Sequence, residues 1–254
     1  MKDIFLKIVF IFCGYHALGQ DTIYYDYTNE LMKYDISELI VSDSIQTGEY
    51  SNRIEQFERP EIIGYIGDNF QRFYIHFISI IKYPYNSNEY MVYGKTKVKS
   101  TICEFQGVLC VKSASICSVT EVPNIKQGQI TFDVLLVEDP KQQSSGMISG
   151  KLISNFLIDT TGKLRYDAIL AGADAYRNNQ FNGFWRSYKS GKNKVCNWGD
   201  FRIPDSDSLD MGACCFSPRD EYLQYGWQTY RDAYFNVNEP GYEKAVKAEN
   251  LEWW

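Results

Sequence analysis

The polar residues best placed by type and spacing to do chemistry lie late in the chain. Asp200 to Gly212 reads DFRIPDSDSLDMG, with carboxylates at Asp205, Asp207 and Asp210. Hard oxygen donors at alternate positions followed by a glycine are the start of a calcium loop. The stretch lacks an acid at Leu209 and a closing Glu, so a solvated loop capped by Asp and Ser competes with a metal site. Just upstream, Trp185, Arg186, Tyr188, Trp198 and Phe201 gather around one predicted hairpin. Aromatic faces beside a guanidinium make a candidate ligand-binding surface. The inward register of Trp185 favours core packing for that residue.

Catalytic options are narrow. The chain has two histidines, His16 and His76. If residues 1–19 are a leader, only His76 remains. That removes His-cluster zinc sites and obliges any Ser-His-Asp triad to use it. His76 falls mid-strand between Ile75 and Phe77, a structural position. The sequence carries no G-x-S-x-G, H-E-x-x-H, P-loop or dinucleotide fingerprint. A carboxylate pair of glycosidase type stays open, because its spacing is set only in three dimensions. No catalytic residue and no cofactor is assigned.

The elements that must position these residues read mainly as strands. Phe73, Ile75, Phe77 and Ile81 share one face; Val92, Gly94, Thr96 and Val98 alternate with Tyr93, Lys95, Lys97 and Lys99. Ile130, Phe132, Val134 and Leu136 form another inward set, as do Ile148, Leu152, Phe156 and Ile158. Period two with one polar face predicts antiparallel sheet. Turn chemistry separates the runs at Asn86–Asn88, Asp159–Gly162 and Ser190–Asn193. Gly94, Gly107, Gly150 and Gly183 each sit inward between larger residues, which suits a small tapering barrel. The face of Tyr93, Lys95, Lys97 and Lys99 is expected to blunt an exposed sheet edge, with binding of a phosphate or an acidic partner as the alternative.

Beyond Pro204 the character changes. Ser217-Pro218-Arg219-Asp220 is a helix start, and Leu223, Trp227, Tyr230 and Tyr234 follow at helical spacing. A second helix is expected from Tyr242. The division of the chain is then leader 1–19, N-terminal extension 20–60 with one short helix or strand, barrel or curved sheet 61–205, and C-terminal loop with two helices 206–254.

Composition sets the class. The chain has 254 residues, 44% hydrophobic, 16% aromatic, with net charge −6. An acidic balance disfavours a nucleic-acid partner. Lys2 and Lys7, a short apolar run and Ala17-Leu18-Gly19 make a secretory signal. Export to the periplasm or beyond is expected, with no transmembrane span after it. In that setting Cys103, Cys110, Cys117, Cys196, Cys214 and Cys215 are candidate disulfide cysteines, against the alternative of buried free thiols.

The stretches GDNFQRFYIHF (Gly67–Phe77) and NNQFNGFWRSYKSGKNKVCNWGDFRIPDSDSLDMGA (Asn178–Ala213) resemble an uncharacterised family of exported bacterial proteins. That family is reminiscent of lipocalin-like, or calycin-like, β-barrels. The Gly-x-Trp triplet of lipocalins occurs only late, as Gly183-Phe184-Trp185. The resemblance implies an antiparallel up-and-down barrel, or a strongly curved sheet, with C-terminal helices. It carries no activity with it. Three functions stay open: a non-enzymatic binding or interaction protein for a small apolar ligand, glycan or protein; a carboxylate-dependent hydrolase in the barrel mouth; and a secreted inhibitor or immunity-type protein.

Overall fold

The computed structural model describes residues 23–42, 44–47, 55–120 and 122–254. The leader assigned to residues 1–19 lies outside them. In chain order the elements are β1 (Tyr24–Asp26), α1 (Thr28–Leu31), α2 (Glu38–Val41), β2 (Ser44–Thr47), β3 (Glu55–Glu58), β4 (Ile63–Ile66), β5 (Gln71–Lys82) and β6 (Glu89–Val98). There follow β7 (Thr101–Cys117), β8 (Lys126–Glu138), β9 (Gly146–Ile158), β10 (Leu164–Tyr166), β11 (Asn178–Ser187) and β12 (Asn193–Asp200). A 3-10 helix (Asp220–Tyr225), α3 (Gln228–Tyr234) and α4 (Tyr242–Glu249) end the order.

Eight strands close on themselves. Antiparallel pairing runs β4-β5-β6-β7-β8-β9-β11-β12 and returns from β12 to β4, with Cys196 opposite Ile66. The predicted barrel is therefore an up-and-down ring. Closure removes the edge strands that a flat sheet exposes. β6 pairs on both sides, so its lysines do not blunt an edge. Lys95 instead approaches Glu104 at 3.8 Å, and Lys97 lies 4.8 Å above the Tyr74 ring.

The alternation seen in sequence fills the barrel. Ile130, Phe132, Val134 and Leu136 on β8, and Ile148, Leu152 and Phe156 on β9, all point inward and are buried. Large rings occupy the space above inward glycines. Gly150 and Gly183 face each other across β9 and β11, and the Phe181 ring lies where their Cβ atoms would be. Trp198 stacks on that ring at 3.6 Å. Ile81 departs from its expected face. A bulge between Phe77 and Ser79 shifts the register, so Ile80 points in and Ile81 out.

The ring has two ends. At one, α1 and α2 lie across the opening, and Leu31, Ile36, Leu39 and Ile40 join the barrel core. The N-terminal extension thus carries more structure than one short element, because its apolar residues serve as the barrel's floor. β9 runs on past the end of β11 to pair with β10, joined by a turn built around Asp159. Burial opposes ionisation of Asp159. The Thr161 hydroxyl, the Arg165 guanidinium and the N–H groups of Lys163 and Thr161 outweigh it and hold the carboxyl at about 2.

Because that pKa is depressed, its stabilisation is complete above about pH 4 and is lost as pH falls toward 2. A shift of this size corresponds to about 2 kcal/mol. Asp159→Asn is expected to remove that amount at pH 6 and almost nothing at pH 2. Urea unfolding of both proteins across this range checks it, and parallel pH profiles would refute it.

The C-terminal region packs on the outer face of β4, β5 and β12. Leu209, Phe216 and Trp227 are buried there against Ile63 and Tyr65. Arg72 of β5 pairs with Glu249 of α4 at 2.5 Å beneath Tyr230 and Trp227. The long helix expected from Ser217 is broken. Gly226 adopts φ 97° where the backbone passes over Arg72, and the chain restarts as α3.

Candidate functional site

Two buried carboxylates mark the barrel's ends. At the floor, Asp200 receives two 2.8 Å hydrogen bonds from Arg59 Nη2 and one of 2.9 Å from the Tyr166 hydroxyl. Asn179 Nδ2 donates to it at 2.8 Å and also to Leu39 O, while Ser154 donates to Asn179 Oδ1. Burial opposes the Arg59 charge, and the Asp200 carboxylate more than offsets it. Burial, and then Asp200, push the Tyr166 phenol well up, so it stays a donor. Every Asp200 oxygen is used, and the floor is sealed.

At the other end Glu138 continues the inward register of β8. Its Oε1 accepts from the Thr96 hydroxyl at 2.5 Å; its Oε2 accepts from Gly146 N–H at 2.7 Å and Trp185 Nε1 at 3.0 Å. Glu138 is only 3% exposed. The mouth is therefore plugged by a satisfied polar cluster, below which the barrel is packed with side chains.

The aromatic candidates do not converge. Trp198 and Phe181 are core. Trp185 is half-buried over Glu138, Arg186 projects outward, and Tyr188 is exposed beside the mouth. Phe201 lies at the floor, edge-on to Tyr176. Trp185 pairs with Lys194, whereas Phe201 follows Asp200, opposite Asn178. That separates them by roughly 20 Å along the barrel. The aromatic hairpin surface is corrected accordingly: period two divides its members between inside and outside.

The three aspartates are also apart in role. Asp210 pairs with Arg202 at 2.6 Å, Asp205 accepts from Asn182 at 2.5 Å, and Asp207 is exposed. Among the described residues no group of three His, Cys, Asp or Glu is arranged to hold a metal. His76 faces outward, its ring stacked on Trp254 at 3.8 Å. Among the described residues the six cysteines stand as free thiols. Cys103, Cys110 and Cys117 share β7 at seven-residue intervals, about 23 Å apart, beyond the reach of any disulfide among themselves.

The surface feature that emerges was not singled out in the sequence. Strand register places Ile81, Met91, Val108, Leu135, Ser149, Phe184 and Val195 side by side on the outer face. Ile81, Met91, Leu135 and Phe184 are exposed, at 57%, 43%, 44% and 53%. The second row is mixed: Tyr93, Val137 and Met147 share it with the exposed Gln106 and Arg186. Charged residues bound the band on both sides: Lys112, Asp133 and Lys151 form one linked group, Lys95 and Glu104 the other. At the Val195 end the band opens into a surface groove of about 390 Å³ lined by Gly67, Asn69, Phe184 and Lys194.

The available signal was the local break in alternation. Leu135 beside Leu136, Met91 beside Val92 and Phe184 beside Trp185 put apolar residues on both faces. Two rows span about 7 Å, far short of the apolar band of about 25 Å on a membrane barrel. Among the described residues no helix is long and apolar enough to cross a membrane.

This architecture defines the class: a closed, filled, eight-stranded up-and-down β-barrel with an apolar outer band. Comparison with protein-family models, curated proteins and solved structures gives no match.

Proposed function

We propose that this protein is a non-enzymatic interaction protein, exported to the bacterial envelope or beyond, that holds another protein on the outer band of its barrel. The band carries the reading. Its apolar centre and charged rims have the anatomy of a protein interface. Apart from the groove at its Val195 end the band follows the convex wall of the barrel, and a partner with a concave apolar face can cover several of its strands at once. The packed interior leaves the calyx of a ligand carrier occupied by Phe105, Phe132, Phe181 and Trp198.

The hydrolase alternative is weakened by geometry. Glu138 and Asp200, the inward carboxylates described above, lie at opposite ends of the barrel. Glycosidase pairs sit about 5–10 Å apart. Both acids are also fully hydrogen-bonded.

The test uses photo-reactive benzoylphenylalanine at position 91, 135 or 184, with position 129 near the floor as control. Irradiation in the native envelope is expected to give one product common to the three band positions and absent from the control. Combining Met91→Asp with Leu135→Asp is expected to weaken that partner's binding by about 30-fold or more, as for interface hot spots. The unfolding midpoint should not move. Equal labelling at position 129, or no product at all, would overturn the reading. So would a small molecule retained by the barrel in native mass spectrometry.

A further inference from the structure

Two of the six described thiols differ from the rest. Cys214 and Cys215 are exposed, and their sulfurs touch at 3.2 Å. The others are buried or half-buried in the strands. The pair is presented by a loop held at its neck. Arg202 donates to Asp210 Oδ2 and to the carbonyls of Gly212 and Ala213. Asp210 Oδ1 accepts from the N–H groups of Gly212 and Ser217. Ala175 N–H donates to Cys214 O at 2.9 Å, and Phe216 anchors the far side beneath Trp227 and Tyr230.

We propose that Cys214 and Cys215 are a reversible dithiol–disulfide site, oxidised by exchange with a small-molecule disulfide such as glutathione disulfide. One thiolate attacks a sulfur of the reagent, forming a mixed disulfide and releasing one glutathione thiolate. The neighbouring thiolate then attacks the protein-side sulfur and expels the second. Two protein thiols lose two electrons and two protons, and one disulfide reagent becomes two thiols.

The geometry favours the second step because the two sulfurs are already in contact, so it is intramolecular. Either thiol can attack first, since either sulfur can be the donor in the contact. Closure of so small a ring distorts the peptide between the two residues, and strained disulfides are the readily reduced ones. This fits a switch rather than a staple. Its expected structural output is loss of the Ala175–Cys214 hydrogen bond.

The test is incubation of the full chain with oxidised glutathione, alkylation under native conditions, and mapping of the tryptic peptide 203–219. The wild type is expected to lose both alkylation sites in that peptide together with the mass of two hydrogens, and to regain them with a thiol reductant. Its rate should exceed that of Cys103 and Cys196 by about tenfold or more, as exposure demands. Cys215→Ser should arrest at a single glutathione adduct on Cys214, and Cys214→Ser at a single adduct on Cys215. A wild type that keeps two alkylatable thiols, carries a stable adduct, or joins two chains through this peptide would overturn the proposal.

Discussion

Asp200→Ala should lower the unfolding free energy by about 3–5 kcal/mol, among the largest losses expected from any single substitution in this chain. The Arg59 side chain is 5% exposed and that of Asp200 wholly buried. Removing the carboxylate leaves a guanidinium in the barrel floor with Ile40 O as its one remaining acceptor among the described residues. It also frees the Tyr166 hydroxyl and one Asn179 donor. The companion variant decides the mechanism. Arg59→Met with Asp200→Leu replaces the pair by apolar side chains and should recover most of the loss, since a buried ion pair contributes little net stability over a packed apolar substitute. Tyr166 and Asn179 then remain unpaired, so recovery should stop short of wild type by about 1–3 kcal/mol. Urea denaturation of the three proteins measures this. A single variant within 1 kcal/mol of wild type would show that water reaches the floor and Arg59 is not sealed there.

That network also shows where the sequence stopped being informative. Arg59 and Asp200 are 141 residues apart. Nothing local marks Arg59 as the residue that will meet Asp200 when the N-terminal extension folds across the barrel. The walls were legible for the opposite reason. Ile130 to Leu136 alternates in strict period two, and a strand buried on one face must do so. The turns at Asn86–Asn88 and Ser190–Asn193 join β5 to β6 and β11 to β12, because their residues favour turn geometry over extended pairing. Alternation could not show the bulge after Phe77, since an inserted residue reverses every later side chain while leaving the pattern readable. It also could not tell an outward apolar residue from a misplaced one. Leu135 and Phe184 break the alternation of their strands, and only the register aligns them with Met91 and Val195 across the band. The aromatic candidates failed on the same point. Proximity in sequence around a hairpin placed Trp198 and Tyr188 together, whereas the pleat sends one into the core and the other to the rim.

Trp198→Ala is expected to cost about 3–5 kcal/mol, and closure of the barrel places it at the upper end of that range. The Trp198 ring is 1% exposed, stacked on Phe181 and 5.9 Å from Phe73. The penalty for deleting a buried ring depends on how far the surroundings can collapse into the space. Two sheets of an open sandwich can approach each other. Here the opposite walls belong to one ring of hydrogen-bonded strands, so their separation is fixed by strand number and stagger. Phe181 cannot slide freely either, since its ring already rests on Gly150 and Gly183. The cavity should therefore persist, stay dry and accept a small apolar molecule such as benzene or indole, as rigid apolar cavities do. Saturating amounts of either should raise the variant's unfolding midpoint and leave wild type unchanged, because only the folded variant offers the site. Phe184→Ala, which trims an exposed band residue, should stay within about 0.5 kcal/mol. A Trp198→Ala cost below 2 kcal/mol with no rescue by benzene would mean the ring closes in on itself. The interior would then be as deformable as a sandwich core. A small ligand could then be admitted to the barrel, and the outer band would lose its priority as the binding surface.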